Sequence, residues 1–153
     1  MNAGTPLARL PDAAHLHVDG LGLNDIIEIW ADEPDPECGN ASHHYELRMD
    51  GKTVASISFQ HGARNLEGST PGATENAVIA ILLDRLRAFN ARPPMVDGKP
   101  LWRSFSCREN SVVITKLEEA MQWSLWRALT RFRQGVLGKN EVHDDGTSRR
   151  SVQ

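Results

Sequence analysis

The stretch from Ser106 to Gly135 (SCRENSVVITKLEEAMQWSLWRALTRFRQG) contains no proline, and no glycine before its last residue. With Leu117 at zero and about 100° per residue, Ile114, Met121, Ser124, Leu125, Ala128 and Phe132 fall in the same arc. This predicts one long amphipathic helix, and its apolar stripe has to be covered by something. Asn110 lies in the same arc near the start, an unusual place for an amide. Arg127 and Arg131 sit on one shoulder of the stripe with Trp123 just beyond, while Trp126 and Arg133 point away. Two guanidiniums beside an indole suit a flat anionic ligand.

A second helix is predicted to begin at Thr74, a suitable N-cap, with Glu75 in the first turn where the helix dipole favours negative charge. Val78, Ile79, Ile81, Leu82, Leu83, Leu86 and Phe89 cover much of its circumference, leaving Asp84, Arg85 and Arg87 as the polar side. A helix apolar on most sides needs several neighbours. One sheet and one partner helix are too few, so a homo-oligomer is expected, and the periodicity does not choose between a dimer and a hexamer. The segment Ala91–Phe105 holds three prolines and cannot continue the helix. It is expected to return the chain as an antiparallel helical hairpin.

The first half reads as strands. Asp25–Asp32 (DIIEIWAD) is rich in β-branched residues, and Glu33–Ser42 (EPDPECGNAS) is turn chemistry. Tyr45, Leu47 and Met49 alternate with Glu46 and Arg48, Asp50-Gly51 signals a hairpin, and Thr53–Gln60 forms the next strand. Ala55, Ile57 and Phe59 line one face, opposite Val54, Ser56 and Ser58. The expected class is α+β: an N-terminal antiparallel sheet (about 25–60) packed with a C-terminal two-helix hairpin (about 74–136), in one domain over 21–138. Residues 1–20 read as a flexible arm and 139–153 as a disordered tail.

Charge narrows the partners. With 153 residues and a formal charge of −3, the chain has no global field for a nucleic-acid polymer or an anionic membrane. Any anion has to be met by local arginines. No apolar run approaches the ~20 residues of a membrane span, and no leader of basic and apolar residues opens the chain, so an intracellular protein is expected. Cys38 and Cys107 form no CxxC pair and read as free thiols.

Metal and catalysis are weakly supported. His15-x-His17 lacks further ligands nearby, and the adjacent His43 and His44 diverge along a strand. The loop Gly62–Gly72 is followed by no GK[ST], so a Walker-type phosphate cradle is poorly supported. Cys107 opens a helix with no histidine or acid evident beside it, and Glu118 and Glu119 diverge on a solvated face. The expectation is no catalytic residues, no metal and no cofactor.

Binding is better supported. Phe89 closes the first helix and Asn110 opens the second, so a hairpin allows them to meet. Arg127 lies 17 residues beyond Asn110, roughly 25 Å along the axis. One small ligand spans that distance only if the residues come from different copies. Arg64, in the glycine-rich loop, is a further candidate.

These residues carry a family resemblance. Ser58-Phe59-Gln60-His61-Gly62, Thr74-Glu75, Arg85-Leu86-x-x-Phe89, Cys107-Arg108-Glu109-Asn110, Thr115–Ala120, Trp123-x-x-x-Arg127, Arg131 and Gly135-Val136 occur in one order. The pattern, from about Tyr45 to Gly138, resembles phage Thoeris anti-defence proteins of the first type, whose helical hairpin is shared with anti-CBASS sponges. The resemblance implies a protein that sequesters cyclic ADP-ribose isomers made by bacterial TIR enzymes, without cleaving them, in the cytoplasm of the bacterial host. It also implies cyclic oligonucleotides as a second ligand class in some relatives. Phe89, Asn110 and Arg127 match the family's ligand contacts, with Arg131 and Arg64 as further candidates. The chain departs from the pattern at Ala128, at Gln134 and in a longer inter-helix loop holding Pro93, Pro94 and Trp102. The alternatives are a hydrolase acting on the same signal, or a phage structural protein that binds no nucleotide.

Overall fold

The computed structural model describes residues 6–10, 26–62 and 67–137. His15, His17, Arg64 and the tail beyond 137 lie outside these. The chain divides after Ala73 into two compact units. The first holds a sheet and the second a helical hairpin, so the class is α+β.

The sheet is an antiparallel meander of β1 (Ala8–Arg9), β2 (Ile27–Ala31), β3 (His44–Met49) and β4 (Lys52–Ser58), in that spatial order. Asp50 and Gly51 have φ of 51° and 71°, the double left-handed turn that matches strand twist and fixes the β3–β4 register. Ala31, Tyr45 and Ile57 stand in one row, and Ile29, Leu47 and Ala55 in the next. These rows form the apolar face expected from the alternation. Only Ala31 is fully buried among them.

The opposite face is a charge-and-ring ladder. Trp30 Nε1 donates to Glu28 (3.0 Å), the Arg48 guanidinium lies 4.2 Å over the Trp30 ring, and Arg48 also pairs with Glu46 at 2.7 Å. Thr53 Oγ1 donates to the same Glu46 carboxylate at 2.9 Å. Two features escape a local reading. The two-residue β1 pairs Ala8 with Ala31 and Arg9 with Trp30 as a fourth strand. A bulge also lets Leu47 face Ala55 while Arg48 faces Thr53, leaving Val54 over and exposed.

After β4 the chain turns back on itself. His61 and Thr70 exchange backbone hydrogen bonds of 3.0 and 2.9 Å, and Ala73 N–H donates to Ser58 at 2.7 Å. Gly72 passes so close to Phe59 that a Cβ there would lie against the Phe59–Gln60 peptide.

The second unit contains α1 (Glu75–Asn90) and α2 (Arg108–Arg133). Thr74 caps α1, its hydroxyl accepting the Ala77 N–H at 3.2 Å. Cys107 caps α2 through its sulfur, which accepts the Asn110 N–H at 3.4 Å. Asn90 pairs with Ser111, Arg87 with Glu118, and Leu83 and Ala80 share a groove with Met121 and Leu125. Each step back along α1 is a step forward along α2, so the helices are antiparallel. The half-buried positions of α2, among them Ile114, Leu117, Met121, Ser124 and Ala128, follow the expected stripe, whereas Leu125 and Phe132, placed in the same arc, are 55% and 66% exposed. Between the helices, Met95–Val96 (β5) and Lys99–Pro100 (β6) form a small hairpin around Asp97-Gly98, in a segment read from the sequence only as a connector.

Candidate functional site

At the connector end of the hairpin, Phe89 and Asn110 converge on Phe105. The Phe89 carbonyl accepts the Phe105 N–H at 3.1 Å, and Asn110 Nδ2 donates to the Phe105 carbonyl at 3.0 Å. The two phenyl rings meet edge to face, with centroids 6.0 Å apart. One turn back on α1, the Arg85 guanidinium lies 4.6 Å from the Phe89 ring centre. The Asn90 side chain clasps the start of α2, accepting the Cys107 N–H at 3.2 Å and donating to Ser111 at 3.1 Å.

The amide in the helix stripe thus has a local explanation: it ties the first turn of α2 to the connector. Phe89 keeps 38% of its surface exposed. An exposed ring under a guanidinium, beside an amide, offers a flat π-surface, a cation and two hydrogen-bonding groups. That chemistry suits a nucleobase with an attached phosphate.

The arginines lie elsewhere on α2. Arg127 is exposed and makes no ion pair with a described residue. Arg131 is half-buried, and its Nη2 donates to the Val136 carbonyl at 3.0 Å while its own carbonyl accepts the Val136 N–H. That reciprocal pair closes the helix C-terminus, where a cation is favoured. In one chain the structure therefore groups Phe89 and Asn110, and leaves Arg127 and Arg131 towards the far end of α2. The groove between the helices, lined by Ala80, Leu83, Asp84, Arg87, Glu118, Met121, Gln122 and Leu125, includes none of these.

The hairpin also displays much apolar surface. Leu83 is 3% exposed, whereas Trp123 is 73% and Phe132 66% exposed, and Leu125 and Trp126 are each more than half exposed. Arg133 stands 5.7 Å over Trp126.

Outside the hairpin, one cluster among the described residues has metal-ligand chemistry. Asp35, Cys38, His43 and His61 direct a carboxylate oxygen, a sulfur and two ring nitrogens to within 4.8 Å of one another. A backbone hydrogen bond from Glu37 holds the Asp35 carboxyl below its ordinary value. Burial, then the neighbouring Asp35, push the Cys38 thiol up. The sequence reading, which expected no metal, weighed His43 only against His44. It did not join His43 to Asp35-x-x-Cys38, which lies five residues before it in the same turn-rich segment.

The chain is α+β, and its helical hairpin carries an aromatic–amide–guanidinium group at the connector end. Residues 51–125 match the family model described as the Acb2/Tad1 hairpin domain. The chain is also 34% identical over 88 residues to a protein named Thoeris anti-defense 1 from Bacillus phage SBSphiJ7, covering 58% of this chain and 54% of the relative. The chain therefore spans about half the length of the curated relative it matches. Among the described residues no helix is long and apolar enough to cross a membrane.

Proposed function

We propose that this chain is a phage anti-defence sponge. It captures cyclic ADP-ribose isomers made by bacterial TIR enzymes, holds them without cleavage in the host cytoplasm, and so starves the immune effector of its signal. The observation that carries this reading is the grouping of Phe89, Arg85 and Asn110 at one end of a hairpin that matches the Acb2/Tad1 family.

The site is completed by a second copy of the chain. Trp123, Leu125, Trp126 and Phe132 need a cover, and Arg127 reaches a ligand on Phe89 only from a neighbouring subunit. Energetics favour the same arrangement. A base stacked on an aromatic contributes ~1–3 kcal/mol, and three charge-assisted bonds to a pyrophosphate contribute ~1.5–3 kcal/mol each. The gross sum, about 6–12 kcal/mol, falls short of the ~12 kcal/mol net of a nanomolar complex once association costs of ~4 kcal/mol or more are charged. A pocket enclosed between subunits closes that gap by excluding water and pre-ordering its arms.

Calorimetry with a cyclic ADP-ribose isomer tests the reading. Wild-type protein is expected to bind, and Arg127→Ala to weaken binding by ~1.5–3 kcal/mol without unfolding. Ligand recovered intact after heat denaturation supports a sponge. Recovered fragments identify a hydrolase, and no binding at all leaves a structural role.

A further inference from the structure

We infer that the sheet unit contains a structural zinc site formed by Asp35, Cys38, His43 and His61. The inference is independent of the hairpin and of the ligand proposed for it.

The four donors come from three separate segments. Asp35 caps and Cys38 ends a single 3-10 turn, Pro36–Cys38, inserted between β2 and β3. His43 stands at the entrance to β3, and His61 lies just beyond β4. Backbone bonds fix the turn before any ion arrives. The Asp35 carbonyl accepts the N–H groups of Cys38 (3.1 Å) and Asn40 (2.8 Å), and Asp35 N–H donates to Ala41 (3.0 Å). Gly39 and Asn40, both with positive φ, reverse the chain. Asp32 secures His43, its Oδ1 accepting the backbone N–H at 2.9 Å, and His61 is pinned by its two backbone bonds with Thr70.

Within this frame the carboxylate is already divided between tasks. Asp35 Oδ1 accepts the Glu37 N–H at 2.8 Å. Oδ2 faces both imidazoles, 3.2 Å from His43 Nε2 and 3.1 Å from His61 Nε2. The two rings lie 4.4 Å apart between centroids and are tilted by 40°, so both Nε2 atoms address one point. In a tetrahedron with zinc–ligand bonds of about 2.0–2.3 Å, donors are separated by roughly 3.3–3.8 Å. The Nε2–Oδ2 separations are slightly shorter, and the longest permitted by the cluster, 4.8 Å, closes with about 1 Å of side-chain adjustment.

Without a metal, Asp35 Oδ2 pairs with both histidines and the same carboxylate takes a hydrogen bond from the Cys38 thiol, so sulfur and both imidazoles already converge on one group. One sulfur, two imidazoles and one carboxylate form a borderline-soft, four-coordinate set, the type preferred by Zn²⁺ over Mg²⁺ or Ca²⁺. Four protein ligands leave no open position for a reacting water, so the site is a clamp and not a catalytic centre. Its effect is to tie the β2–β3 insertion to the segment after β4, across 26 residues of sequence (35 to 61), in a unit where Ala31 alone is a fully buried hydrophobic residue among those described.

Cobalt(II) is the probe, because thiolate ligation and tetrahedral geometry each give it a distinct absorption signature. Untagged, full-length, chelator-treated protein is titrated with Co²⁺ alone, followed by Zn²⁺, alongside Cys107→Ser, Cys38→Ser and His61→Ala. Support consists of a thiolate-to-cobalt band with tetrahedral d–d bands, saturating at one ion per chain and bleached by Zn²⁺. These persist in Cys107→Ser and vanish in Cys38→Ser, while His61→Ala binds at least about 10-fold more weakly. Absence of the thiolate band in Cys107→Ser overturns the site, as does its persistence in a folded Cys38→Ser. Should Cys38→Ser fail to fold, the Cys107→Ser titration alone decides: the band at one ion per chain upholds the clamp, and its absence refutes it.

Discussion

Asn110→Ala is the most informative single change in the hairpin. The side chain donates one neutral hydrogen bond, Nδ2 to the Phe105 carbonyl at 3.0 Å, and Phe105 in turn donates its N–H to Phe89 and sets its ring against the Phe89 ring. An intramolecular bond of this kind contributes ~0.5–1.5 kcal/mol net. The backbone carbonyl left behind is accessible to water, so the loss belongs in that range and not in the larger range of a buried orphan. Thermal unfolding should therefore shift down by about 1–6 °C for a chain of this length. A purely structural role lowers ligand affinity only through the looser Phe105. Direct contact with ligand removes a second bond of the same kind and weakens capture by a further 2- to 13-fold or so. Calorimetry of Asn110→Ala and Phe105→Ala, singly and together, separates these contributions, because only the shared part is non-additive. Unchanged affinity together with unchanged stability would falsify both roles.

Further outcomes are expected elsewhere in the chain. Gly72→Ala, whose new Cβ lies against the Phe59–Gln60 peptide, should destabilise the sheet unit by ~1–3 kcal/mol in urea unfolding; a neutral result would mean that the loop yields freely. Phe132→Glu with Trp123→Glu, at positions 66% and 73% exposed in the single chain, should shift sedimentation from an oligomer to the 17.0 kDa chain mass. Wild-type protein already sedimenting at that mass would remove the shared pocket. Glu46 is held below its ordinary value of 4.5, first by the Arg48 hydrogen bond and then by Thr53. A depressed carboxyl contributes stability that is fully present above that ordinary value and is lost as pH falls through the lower folded value. Acid unfolding of Glu46→Gln should therefore be less steep than wild type below pH 4.5, and superimposable profiles would contradict the assignment.

The helices were legible in the sequence because their determinants are local. Thr74 and Gly135 mark ends within a turn of the helices they bound, and the 3.6-residue period of Ile114, Leu117, Met121 and Ala128 names the covered face without reference to any other segment. Asp50-Gly51 fixed a strand pairing for the same reason, since a two-residue turn leaves its flanking strands one register. Asp97-Gly98 carried the same signal within the connector, where the surrounding prolines masked it.

Tertiary structure decided what depends on distant pairing. Neither the place of Ala8–Arg9 beside β2 nor the bulge at Val54 has a local periodicity to announce it. The meeting of His61 with Asp35, Cys38 and His43 needs β3 and β4 in register and the loop folded back through Thr70. Spacing along a chain reports a shared point only when the ligands belong to one turn or one helix face; across a sheet, strand pairing places them. The sequence by itself therefore determined the helical hairpin, whereas the convergence of sulfur, imidazole and carboxylate followed only from the folded meander.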